Sequence, residues 1–123
     1  MVDLQEIKSI IEIDFRDIID RITLTEINEM RIFLKDDTFI DIWYSLKLKN
    51  RFSYHWERKF KDGSIYRHDN IPHNSWRNVQ TFPKHFHNGS EKEVTESHIE
   101  PDPQIGITEF LRFVRDKLNQ EEL

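Results

Sequence analysis

A chain of 123 residues that is 37% hydrophobic, with nine Phe, three Trp and three Tyr, holds enough bulk for one modest core and too little for two domains. The absence of cysteine excludes a disulfide scaffold, a thiolate zinc finger and a cysteine nucleophile, and Met1-Val2-Asp3-Leu4-Gln5-Glu6 lacks the basic stretch and apolar core of a signal peptide. The net charge of −5 is uneven, because residues 47–87 carry nine Lys or Arg against Glu57, Asp62 and Asp69, which leaves −11 for the remainder. With no apolar run long enough to span a bilayer, the expectation is a single soluble, cytoplasmic domain over 1–123 whose basic middle draws an anion such as RNA to one surface.

In chain order, Leu4, Ile7, Ile11, Phe15, Ile18 and Ile22 recur at spacings of three and four, which predicts a helix with Asp3 as its N-cap. The β-branched residues between Ile18 and Thr25 then favour a strand, placing the change between Asp14 and Arg21. Met30, Ile32 and Leu34 alternate with polar or aromatic neighbours, Asp36-Asp37 supplies a turn, and Phe39 to Leu46 reads as the next strand.

Arg51 to Phe60 and Ser64 to Asp69 flank Lys61-Asp62-Gly63, a three-residue loop in which Gly63 takes the left-handed position. That loop pairs Phe60 with Ser64 and sets Glu57 opposite Arg67, Trp56 opposite His68 and His55 opposite Asp69. Phe52, Tyr54 and Trp56 then face the helices, while His55, Glu57, Arg67 and Asp69 share the other side. A two-residue turn would instead set His55 against Asn70.

Residues 71–89 lose periodicity and read as a long loop with short extended pieces at most. The acidic stretch Glu91 to Glu100 leaves room for a short edge strand before the Pro101-Asp102-Pro103 break. Thr108 then caps a helix with Phe110, Leu111, Val114 and Leu118 on one face. The fold expected is α+β: an antiparallel meander of four to six strands with N- and C-terminal helices on its aromatic face.

Five of the six histidines lie between Tyr54 and His87. Metal-free RNA cleavage needs a base for the 2′-hydroxyl, an acid for the leaving oxygen and cations around the phosphorus, and imidazole serves either proton role near neutrality. His55, His73, His85 and His87 are the candidates for proton transfer. Arg67 would hold phosphate, Asp69 would orient an imidazole, Asn70 would donate to a phosphate or base, and Lys84 would add positive charge. Tyr54, Trp76 or Phe86 would stack on a base. Taken singly, each is more often a satisfied surface or core group; the cluster is what suggests a site. The runner-up reading is a non-catalytic RNA- or protein-binding module, with Glu57 and Arg67 an ordinary cross-strand pair. Third is a metal-dependent nuclease in which His85-x-His87 joins His73 or Asp69 on Zn²⁺ or Mn²⁺. The preferred reading takes no metal and no cofactor.

Tyr54-His55-Trp56, Arg67-x-Asp69-Asn70-x-Pro72-His73 and Phe82-Pro83-x-His85-x-His87, in this order and spacing, resemble the TumE family of toxins from prokaryotic toxin-antitoxin modules. The resemblance runs from about Arg31 to His87. Asn74 stands where the family commonly has a second His, and Lys84 where the later motif commonly begins its histidines. What the resemblance implies is a growth-inhibiting toxin acting on RNA, with an antitoxin protein as partner. Whether the chain also forms a homo-oligomer is left open by the sequence.

Overall fold

The structure is a computed structural model that describes residues 1–122. Helix α1 (Leu4–Asp14) opens as expected, with the Glu6 amide donating to Asp3 Oδ1 at 3.1 Å. Seven strands follow: β1 (Ile19–Glu26), β2 (Glu29–Leu34), β3 (Phe39–Tyr44), β4 (Phe52–Arg58), β5 (Ser64–Asp69), β6 (His85–Gly89) and β7 (Val94–Glu96). A one-turn helix α2 (Lys59–Asp62) lies between β4 and β5, and α3 (Pro103–Glu121) ends the chain. The strands pair in sequence order, every neighbour antiparallel, so the meander is seven-stranded rather than four- to six-stranded. None of the helices among the described residues is long and apolar enough to cross a membrane.

The added strand is β6, which falls inside the stretch expected to be a loop. It contains no β-branched residue, so composition hides it, yet its alternation is complete: His85 and His87 point to one side and Phe86 to the other. Helix α3 starts six residues earlier than expected, because Asp102 caps it from the side chain (Ile105 amide to Oδ2, 3.1 Å) and Pro103, which lacks an amide proton, suits its first position.

Both long helices cover one face of the sheet. Ile7, Ile11 and Phe15 from α1 and Ile107, Phe110, Leu111 and Val114 from α3 meet Met30, Ile32, Ile40, Ile42, Tyr54 and Trp56 from the strands. Arg115 ties the layer together, donating from Nη2 to the Asp14 carbonyl (2.6 Å) and to Asp17 Oδ1 (2.7 Å) while lying over the Phe15 ring.

The β4–β5 connection differs from the expected loop. Lys59 and Phe60 belong to α2, Gly63 closes that turn at φ 79°, and the connection spans five residues. The register therefore pairs Arg58 with Ser64, Trp56 with Tyr66, His55 with Arg67 and Ser53 with Asp69. That is a slip of two from the expected pairing. An even slip preserves faces, so His55, Glu57, Arg67 and Asp69 still share the side away from the helices.

Candidate functional site

On that side, β4, β5 and β6 lay out a compact polar cluster. Cross-strand pairing places Arg67 between His55 and His87, and sets Asp69 beside His85. Arg67 is the hub, and all five of its N–H groups are engaged. Its Nε donates to Asp69 Oδ2 (3.0 Å). Nη1 donates to His55 Nδ1 (3.2 Å) and Glu91 Oε1 (2.8 Å), and Nη2 donates to His87 Nε2 (3.1 Å) and Glu91 Oε2 (2.7 Å).

Guanidinium has no acceptor atom, so these contacts fix both imidazoles. His55 accepts at Nδ1 and donates from Nε2 to Glu57 Oε1 at 3.2 Å. His87 accepts at Nε2 and donates from Nδ1 to the Glu91 carbonyl at 3.0 Å. Each ring is neutral with its tautomer set. For His87 the physical causes agree, because burial, then the Arg67 charge, hold its pKa below the usual histidine value. The Glu91 carboxyl is pulled down to about 2, first by its bonds from Arg67. Burial alone would lower the Arg67 pKa, but the bonds to Glu91 and Asp69 outweigh it and raise the pKa.

His85 donates from Nδ1 to the Pro83 carbonyl (2.8 Å) and turns Nε2 toward Asp69 Oδ1 (3.3 Å). Asp69 also accepts from the Ile71 amide at 2.9 Å, which fixes the exit of β5. Trp76, on a short 3₁₀ helix Asn74–Trp76, shields the pair, its ring centroid 6.4 Å from His85 and 5.9 Å from His87. Asp69, His85 and His87 are consequently buried, while Arg67 and His55 border solvent.

Of the eleven residues singled out from the sequence, His55, Arg67, Asp69, His85 and His87 come together, with Trp76 above them. His73 makes no bond to the cluster: it is exposed, caps the 3₁₀ helix by accepting from the Ser75 amide at 3.1 Å, and packs beside the Trp76 ring, centroids 5.9 Å apart. Tyr54 lies on the helix face, 1% exposed, its hydroxyl bonded to that of Tyr44, so it presents no ring to a base. Asn70 extends β5 in place of a strand residue, its side chain accepting from the Phe52 amide (2.9 Å) and donating to the Asn50 carbonyl (2.7 Å), and so is turned to backbone partners and not to the cluster. Lys84 turns to the other side as well, donating to the Ile99 carbonyl at 2.7 Å. Phe86 stacks on His68, which burial pushes down to about 3, a neutral core histidine bonded to Ser97.

The basic middle segment is likewise divided. Arg58 is buried over Trp56 and pairs with Asp62 and Glu121, and Lys61 pairs with Asp36. Lys47, Lys49, Arg51 and Lys84 line a groove of about 820 Å³ near the β3–β4 connection, away from the histidine cluster. Two members of the site escaped the sequence reading. Glu57 had been assigned only to a cross-strand pair with Arg67 and instead orients His55. Glu91 lay in an acidic stretch with no pattern of its own, and only the Gly89 turn, at φ 98°, brings it back over Arg67.

Comparison with curated proteins and with solved structures gave no match. A family model described as Toxin TumE matches residues 6–118, a span that takes in most of α1, every strand that builds the cluster and most of α3. The motifs that bring Arg67, Asp69 and the three clustered histidines onto one face therefore sit inside a match over nearly the whole chain, and the chain belongs to the TumE toxin family.

Proposed function

We propose that this toxin is a metal-independent ribonuclease in which an RNA phosphodiester takes the place now held by the Glu91 carboxylate. One observation carries the reading: a half-exposed carboxylate lies in the fork of Arg67, with an imidazole on either side. The two non-bridging oxygens of a phosphodiester present the same edge to a guanidinium. When Arg67 directs its terminal donors to such a group, His55 Nδ1 and His87 Nε2 are released on opposite flanks.

His55, oriented through Nε2 by Glu57 as a triad carboxylate orients its histidine, takes the 2′-hydroxyl proton as that oxygen attacks phosphorus. The bond to the 5′ oxygen breaks, and that oxygen leaves with the proton that His87, freed of Arg67, has taken up at Nε2. The products are a 2′,3′-cyclic phosphate and a 5′-hydroxyl end. Arg67, held by Asp69, stabilises charge on the phosphorane. An antitoxin protein is the partner this role requires.

The deciding experiment incubates purified protein with total cellular RNA, with and without EDTA, beside a His55→Ala variant whose fold is checked by circular dichroism. Cleavage that persists in EDTA and is lost in the folded variant supports the proposal. RNA retained on a gel but uncut by folded wild-type protein would make the toxin a binder, and cleavage lost in EDTA would transfer the chemistry to a metal.

A further inference from the structure

Beneath Arg67 the geometry points to a divalent-cation site formed by Asp69, His85 and His87, with Zn²⁺ the best-matched ion. Strand register brings the three residues together: Asp69 on β5 pairs with His85 on β6, and His87, two residues on, faces the same way. One ligand atom from each lies within 4.8 Å of the other two, and all three residues are buried.

Ligands about 2.0 Å from a tetrahedral ion stand about 3.3 Å from one another. His85 Nε2 and Asp69 Oδ1 are 3.3 Å apart, and His87 Nε2 is 3.9 Å from Asp69 Oδ2, so a small inward shift of His87 completes three corners. The outer contacts fit as well. His85 and His87 each commit the Nδ1 proton to a backbone carbonyl, of Pro83 and of Glu91, which leaves Nε2 of His85 turned toward Asp69 and Nε2 of His87, now accepting from Arg67, 3.9 Å from the same carboxylate. Carbonyl-anchored imidazoles of this kind recur at metal centres, where the anchor sets tautomer and ring direction.

Charge favours the same assignment. Two carboxylates, Asp69 and Glu91, bond a single guanidinium, and both imidazoles accept from it, so the surplus is negative. On binding, Arg67 gives up its donation to His87 and keeps those to Asp69, His55 and Glu91. Two imidazole nitrogens and one carboxylate oxygen, with a fourth position for water, suit Zn²⁺ better than Mg²⁺ or Ca²⁺, which take oxygen ligands. The site does not rest on the ribonuclease reading, because the ion is bound by the protein without RNA, but it takes the His87 Nε2 used there for proton transfer, so the zinc-bound protein is not the cleaving form.

The test titrates chelator-stripped full-length protein with Co²⁺, followed by its visible d–d absorption, and then displaces it with Zn²⁺. One ion per chain with the intense bands of a four-coordinate centre is expected, together with a melting temperature that rises with Zn²⁺. His85→Gln and His87→Gln should lose the bands, and His98→Ala, which removes the exposed sixth histidine, should keep them. Imidazole NMR signals in the wild-type protein guard against variants that unfold: Zn²⁺ should move those of His85 and His87 and spare those of His68 and His98. Absence of saturable binding, or binding removed by His98→Ala alone, would overturn the assignment. Cleavage of RNA in EDTA, whichever way it falls, bears only on the ribonuclease proposal.

Discussion

Arg67 grips the Glu91 carboxylate with both terminal nitrogens, at 2.8 and 2.7 Å, although the Glu91 side chain is 56% exposed. An exposed pair of this kind adds little to stability. It does occupy the one edge of Arg67 that an incoming anion can reach. Glu91→Gln should therefore bind RNA about tenfold more tightly, the equivalent of about 1.4 kcal/mol, with its melting temperature nearly unchanged. Gel-shift titration at fixed salt checks this, and equal affinity in the two proteins would remove Glu91 as the occupant of the anion position.

Replacing Arg67 by Lys keeps the charge and loses the planar fork. One ammonium cannot reach Asp69, both imidazoles and a bidentate anion together. The expected loss in RNA cleavage is about 100-fold, on the scale of removing a transition-state donor. A Lys variant that cuts RNA at the wild-type rate would show that charge alone suffices.

His55 and His73 should now separate. His55→Ala removes an imidazole held between Arg67 and Glu57 and should lower cleavage by about 10²-fold or more, with the far-ultraviolet spectrum intact. His73→Ala removes only a 3₁₀ cap beside Trp76 and should lose far less. Parallel rate measurements on one RNA decide it, and equal losses would bring His73 back into the chemistry.

A second network offers a test of stability against pH. Trp56 Nε1 donates to Thr38 Oγ1 (2.8 Å), Thr38 Oγ1 donates to Asp36 Oδ1 (2.6 Å), and Lys61 Nζ donates to Asp36 Oδ2 (2.8 Å). Burial pushes the Asp36 pKa up, but the bonds from Lys61 and Thr38 outweigh it and leave it below the ordinary value. A carboxylate lowered in the folded state stabilises the fold above its unfolded pKa of about 4 and loses that contribution as pH falls through its folded value. Asp36→Asn should cost about 1–2 kcal/mol at pH 7 and progressively less in acid, as read by denaturant melts across that range.

Gly106, in the first turns of α3, tests how closely the helix is seated. A Cβ there would stand 2.6 Å from the Glu100 carbonyl oxygen and 3.4 Å from the Tyr54 hydroxyl. Gly106→Ala should destabilise by about 1–3 kcal/mol despite the better helix propensity of alanine. A higher melting temperature would mean that the Pro101–Asp102 approach to α3 gives way at little cost.

Much of this arrangement was legible in the chain. Alternation along Phe52–Arg58 and Ser64–Asp69 assigned the faces correctly even though the turn between them was misjudged, because the pairing slipped by two and side-chain direction repeats every two residues. The strand β6 was hidden by composition: His, Asn and Gly carry no β preference, and its extended form comes from pairing with β5 and β7. Tyr54, Asn70 and Lys84 looked like ligand contacts because their residue types suit RNA, while their partners Tyr44, Phe52 and Ile99 could be known only from tertiary packing. Glu91 shows the same limit from the other side, since a distant turn gave meaning to an acid that had none locally.

The sheet in sequence order has a bearing on how the chain comes together. Each strand pairs only with those next to it in sequence, so the one long loop the ladder has to close is residues 70–84 between β5 and β6, and contact order stays low for so large a sheet. The helix layer is the opposite case. Arg115 reaches Asp14 and Asp17 from about a hundred residues away, and α3 emerges from the ribosome after every strand of the sheet. Newly made protein should therefore zip its strands early and leave the part of their aromatic face that α3 covers bare until that helix docks, an interval in which a chaperone or a partner has most to hold.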